Sequence, residues 1–108
     1  MRYANRRDNS HKPIMKGLIA AGFSVMDTSR LGEDFPDLVI GKWGIDAKVE
    51  CKTEDRRKNG VKTAAELLSE GQKDFKSEWK GSPVIVAYSL QDALYGFSMI
   101  CKRLGWVK

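Results

Sequence analysis

Histidine, cysteine and proline are scarce in this chain, and the first two shortages each exclude a chemistry. A single histidine, His11, rules out a multi-histidine metal site and leaves any histidine-based triad one candidate base. Two cysteines, Cys51 and Cys101, cannot staple a small secreted domain. Without a CxxC pairing they give no sign of structural zinc, and no motif couples either of them to His11 as a nucleophile. Long apolar runs are missing too. The longest stretch without a charged residue, Gly81 to Gln91, contains polar residues and a proline; it falls well short of the ~20 apolar residues a membrane helix needs. The opening residues Met1 to Asp8 hold three arginines and no apolar core, so a secretory signal is not expected. These absences predict a cytoplasmic protein with no membrane association.

What is present is ordinary for a globule. The 108 residues are 42% hydrophobic and 31% charged, which suits one domain over residues 1–108 with a single core. The net charge of +5 favours a polyanionic partner. No internal repeat or low-complexity linker interrupts the chain.

Apolar periodicity divides the sequence into seven elements. Ser10 is a candidate N-cap for a helix carrying Ile14, Leu18 and Ile19, which Gly22 would stop. Residues 23–28 alternate as a short strand, and residues 29–35 read as a loop. Pro36 opens a second strand at Asp37-Leu38-Val39-Ile40; Lys42-Trp43-Gly44 turns the chain into a third strand over residues 45–53, completing a hairpin. The run 54–62 is too charged to bury. From Thr63 to about Lys80 the spacing of Ala65, Leu68, Gln72, Phe75 and Trp79 predicts a helix. Val84 to Tyr88 is a continuous apolar strand, expected to be central. Ser89-x-x-Asp92 starts a last helix; the tail from Tyr95, with Phe97, Ile100, Leu104 and Trp106, is open between helix, strand and dimer contact. The order αβββαβα predicts an α/β fold: a mixed sheet flanked by helices.

The chemistry concentrates in Pro36-Asp37 and Glu50-Cys51-Lys52. Strand alternation puts Glu50 and Lys52 on one face and Cys51 on the other. Asp37 begins one hairpin strand and Glu50 nears the end of its antiparallel neighbour, so both carboxylates fall at the same end. Two such carboxylates repel unless a cation lies between them. A hard divalent ion with oxygen ligands, Mg²⁺ or Mn²⁺, answers that need. Lys52 is suited to hold a nucleophilic water or the charge developing on a phosphorane. In outline this is a phosphodiester hydrolysis site.

These residues resemble the PD-(D/E)xK nuclease signature, and more narrowly the stand-alone VRR-NUC domains common in phages. Supporting stretches are residues 7–11, 35–41, 49–53, 68–75, 79–81 and 89–94, so the resemblance runs from Arg7 to about Leu94. It implies a restriction-endonuclease-like fold, with residues 95–108 as a C-terminal extension. It also implies Asp37, Glu50 and the Cys51 carbonyl as metal ligands, Lys52 as catalytic lysine and Gln72 as a helix residue aimed at the site. Many relatives carry a glutamate on the first helix as an added ligand; here His11 stands at that point, a candidate to bind metal or contact phosphate in its place, which leaves the number of metal ions open. Stand-alone members look like Holliday-junction resolvases, so the resemblance implies a symmetric homodimer acting on branched DNA.

Blander readings stand beside these. Asp37 is an ordinary polar strand opening, and Glu50 and Lys52 suit the solvent face of an edge strand. Lys48, on the same face, reads as a surface charge. Arg56, Arg57, Lys58 and Lys62 form either a solvated loop or, with Arg7, a grip on backbone phosphates. Cys51 is expected in the core. The rival to a nuclease is a non-catalytic nucleic-acid-binding module of the same fold.

Overall fold

A computed structural model describes residues 11–52 and 68–105. Helix α1, His11–Ala20, buries His11, Ile14 and Leu18 along one stripe. It closes in a Schellman motif: Phe23 N–H reaches Leu18 C=O, Gly22 N–H reaches Ile19 C=O, and Gly22 takes φ +94°. Strand β1, Ser24–Asp27, follows; a loop then leads to β2, Leu38–Lys42, and β3, Ile45–Cys51. The hairpin between β2 and β3 pairs Lys42 with Ile45 across a two-residue turn. Trp43 and Gly44 both have positive φ there, +58° and +77°, as a type I′ turn requires. Helix α2, Glu70–Glu78, strand β4, Val84–Ala87, and helix α3, Leu90–Arg103, complete the chain.

The sheet order is β1-β2-β3-β4. The first two pairings are antiparallel and β3–β4 is parallel, so the chain passes from β3 to β4 by way of α2. This is a mixed sheet with three helices in an α/β arrangement. Leu38, Ile40, Ala47, Val49, Cys51, Ile85 and Ala87 join Ile14, Leu18 and Phe97 in one core, so α1 and α3 share a sheet face. Phe23 meets Phe97 edge-on at 4.9 Å. Helix α2 meets the opposite face, where Glu50 and Lys48 point.

Two expectations change and one open reading is settled. Strand β4 is the terminal strand of the described sheet, not a central one; its apolar run reflects cover from α3, with three of its four residues buried. Helix α2 does not run back through residue 68: Leu68 and Ser69 are non-helical, because the Ser69 hydroxyl caps the helix by accepting from Gln72 N–H. The open tail continues as α3 to Arg103, capped at its start by Ser89 accepting from Asp92 N–H. The Ser10 cap, residues 63–67 and Trp106 lie outside the described residues. No described helix is long and apolar enough to cross a membrane.

Candidate active site

Asp37 is pinned just before β2. Thr28 N–H donates to Asp37 C=O at 2.8 Å, and Thr28 Oγ1 donates to Pro36 C=O at 2.8 Å. The Asp37 carboxylate then accepts from Cys51 N–H, with Oδ2 at 2.8 Å. Leu38 is paired with Val49, so one further step of the register sets Asp37 opposite Glu50. Directly opposed residues of an antiparallel pair project from the same face. The two carboxylates therefore share the sheet face that α2 approaches.

Glu50 and Lys52 are 5% and 8% exposed, so neither belongs to a solvent-washed edge strand; β3 lies between β2 and β4. Their Oε2 and Nζ are 3.9 Å apart, and Gln72 spans them. Its Nε2 donates to Glu50 Oε2 at 2.8 Å, while its Oε1 accepts from Lys52 Nζ at 3.1 Å. The same Oε1 accepts from Ser69 N–H at 2.9 Å, closing a capping box. One glutamine thus fixes the helix start and orients two buried charges of opposite sign. Such a network is costly to break, because each charged group left without its partner keeps its desolvation penalty.

Helix α2 is held from the loop side as well. Phe35 meets Phe75 edge-on at 5.5 Å. A Cβ at Gly71 would collide with the Asp34 carboxylate, so the glycine permits the loop to close on the helix start. Glu33 and Asp34 both adopt left-handed φ, +56° and +63°, in that loop. Sequence reasoning missed this support; the signal available was a glycine inside a helical pattern, beside the capping box.

The structure brings together Asp37, Glu50, Cys51, Lys52 and Gln72. It does not bring His11 to them. His11 is 2% exposed, and its Nε2 lies 3.4 Å from Asp27 Oδ1. Asp27 pairs with Leu38 and so shares the core face, on the far side of the sheet from Asp37 and Glu50. Cys51 packs in the core at 1% exposure, leaving its backbone as the part available to the cluster. The candidate phosphate contacts Arg7, Arg56, Arg57, Lys58 and Lys62 lie outside the described residues. Lys48 is a correction: it is 8% exposed, not a surface charge, with Nζ 4.7 Å from the Trp79 ring centroid. Burial lowers its pKa, and the Asp46 carboxylate opposes the shift only in part.

Among the described residues, no three His, Cys, Asp or Glu side chains cluster to hold a metal by themselves. The register sets the Asp37 and Glu50 carboxylates opposite one another, beside the Cys51 main chain that donates to Asp37, and carboxylate and carbonyl oxygens are hard donors. That set fits Mg²⁺ or Mn²⁺, which commonly fill the rest of their shell with water and phosphate oxygens. Comparison with family models, with curated proteins and with solved structures returned no match for the chain.

Proposed function

We propose that the protein is a metal-dependent DNA endonuclease of restriction-endonuclease-like fold, with Asp37, Glu50, Lys52 and Gln72 at its centre. The observation that carries this reading is the Gln72 bridge. It holds a nearly buried carboxylate and ammonium side by side, with a second carboxylate, Asp37, opposite Glu50 in the register. Opposite charges held together out of solvent in this way are characteristic of sites that do chemistry.

Asp37 and Glu50, with the Cys51 carbonyl, would hold Mg²⁺ or Mn²⁺. Such an ion polarises a phosphate oxygen and acidifies a bound water. Asp37 is kept in position by the Cys51 N–H, so its carboxylate does not have to reorganise. Lys52 would donate hydrogen bonds from its compact ammonium to the attacking water, which gives its proton to solvent, and to the oxygens of the five-coordinate phosphorus, while the P–O bond to the leaving group breaks and that oxygen takes a proton from solvent. Gln72 touches both Glu50 and Lys52 and sets their separation, which makes it a positioning residue. The resemblance to stand-alone VRR-NUC domains supports branched DNA as the substrate and a C₂ homodimer as the working form, since resolving a four-way junction takes two coordinated cuts.

The test is cleavage of labelled four-way junction, linear duplex and single-stranded DNA in Mg²⁺, Mn²⁺ or EDTA. Metal-dependent cutting with symmetric junction nicks is expected. Binding without cutting under every metal would leave a nucleic-acid-binding module and overturn the hydrolytic reading. Light scattering that shows only a 12.2 kDa species would remove the dimer and the junction-resolving version with it.

A further inference from the structure

A second feature lies at the hairpin end of the sheet, away from the Gln72 bridge, where Lys48 of the α2 face comes near the C-terminal end of α3. A cleft of about 690 Å³ opens between the hairpin end of β3 and the segment joining α2 to β4. Asp46, Lys48, Trp79, Lys80 and Arg103 are among the residues that line it. Lys48 is 8% exposed as a residue, and its ammonium makes no hydrogen bond and no ion pair among the described residues; it lies 4.7 Å from the Trp79 ring centroid, within the electrostatic reach of Asp46. The four-carbon stem is packed away while the ammonium reaches the cleft, the arrangement of a long cationic side chain whose head stays open to an anion.

Trp79 holds that ammonium in place. Its ring stacks on Phe75 at 5.1 Å and 12°, and Phe75 is braced in turn by Phe35. The ring draws on one side of the ammonium and leaves donors for another ligand. Lys80 and Arg103 add two positive charges at the cleft. Asp46 is the one carboxylate lining it, and its Oδ1 lies against Gly41 on the neighbouring strand. Lys48 precedes Glu50 by two strand residues, about 7 Å. That distance is comparable to the spacing of neighbouring phosphates on one strand, which exceeds the ~3.4 Å axial rise because the backbone also winds around the helix.

Resting on the nuclease reading, we infer that this cleft is a backbone-phosphate subsite, in which Lys48, presented by Trp79, binds a DNA phosphate beside the one being cut. Its ligand is a phosphodiester oxygen of either base sequence, because an ammonium reads charge and not base edges.

The experiment is DNA binding by fluorescence anisotropy in EDTA, where no cutting is needed, as a function of salt. Wild type is compared with Lys48→Met, Lys48→Arg and Trp79→Leu, each checked by thermal melting. Losing one phosphate contact lowers the slope of log K against log salt by about 0.9. Between 50 and 200 mM salt, the wild-type advantage over Lys48→Met should therefore shrink about 3.5-fold. Lys48→Arg should keep the slope, and Lys48→Met should melt no lower than wild type. An unchanged slope and affinity in a folded Lys48→Met protein would make Lys48 mere packing and overturn the subsite, even if the protein cuts DNA. A reduced slope in a protein that never cuts would support the subsite and refute only hydrolysis. No DNA binding by wild type would overturn both.

Discussion

Gln72→Ala is the perturbation that most directly tests the cluster as a unit. The substitution removes a donor to Glu50, an acceptor from Lys52 and half of the capping box. Hydrogen bonds to charged groups contribute about 1.5–3 kcal/mol each. Because both belong to one network their losses do not add, and the remaining 3.9 Å ion pair recovers part of the loss. The expected cost is about 2–4 kcal/mol, which lowers Tm by roughly 8–16 °C for a domain of this size. Gln72→Glu separates the chemistry from the loss of bulk. It keeps the acceptor toward Lys52 and Ser69 but sets a carboxylate against Glu50, so that the pair must share a proton. The shared proton raises a folded-state carboxyl pKa above its unfolded value. The folded chain then holds the extra proton, and stability is present at low pH and lost as pH rises through the raised value. Thermal melts in EDTA at pH 5 and pH 8 should show Gln72→Glu close to wild type at pH 5 and at least as weak as Gln72→Ala at pH 8. A Gln72→Ala protein melting within about 2 °C of wild type, below the ~4 °C expected for each 1 kcal/mol, would refute the reasoning.

Three further outcomes follow from other contacts. Replacing a helix glycine with alanine ordinarily gains about 1 kcal/mol; Gly71→Ala should forfeit that gain to the Asp34 carboxylate, and adding Asp34→Ala should restore it in thermal melts. If Gly71→Ala alone delivers the full gain, the loop does not clamp the helix. Lys48 titrates below its ordinary value when folded, so between that lowered value and about 10.4 the unfolded chain binds more protons and stability rises with pH. Denaturant midpoints in metal-free buffer from pH 7 to 10 should show this rise weakened in Lys48→Met, and an identical rise would refute it. Mg²⁺ at 100 times its Kd should stabilise the folded chain by about 2.7 kcal/mol; the shift should vanish in Asp37→Asn, and a shift that survives would put the ion elsewhere.

Much of this fold is legible where local chemistry and tertiary packing agree. Gly22 marks the end of α1 because the Schellman motif needs its left-handed φ. The hairpin follows from two apolar runs around Trp43-Gly44. The alternation in Glu50-Cys51-Lys52 correctly separates a core cysteine from two charged neighbours. Other features depend on what lies across space. An apolar run such as Val84 to Ala87 reports that both faces are covered, not how many strands flank it, so the terminal position of β4 is hidden. The start of α2 is misread because apolar spacing continues upstream through Leu68. Ser69 and Gln72 stand three residues apart as a capping box, and that local signal prevails over the period. The burial of Lys48 is invisible along the strand, since it depends on Trp79 arriving two helical turns after Gln72.

The central claim concerns the chemistry of Asp37, Glu50 and Lys52, and single-turnover cleavage tests it most directly. Labelled branched and duplex DNA would be incubated in Mn²⁺ with wild type, Asp37→Ala, Glu50→Gln and Lys52→Ala, each first shown to be folded. The account predicts cutting by wild type that stops in EDTA and falls at least 100-fold in each variant, as expected when a group acts in the transition state. Cutting that persists in folded Asp37→Ala or Lys52→Ala protein, or wild-type protein that binds DNA yet leaves it intact with every metal, would contradict it.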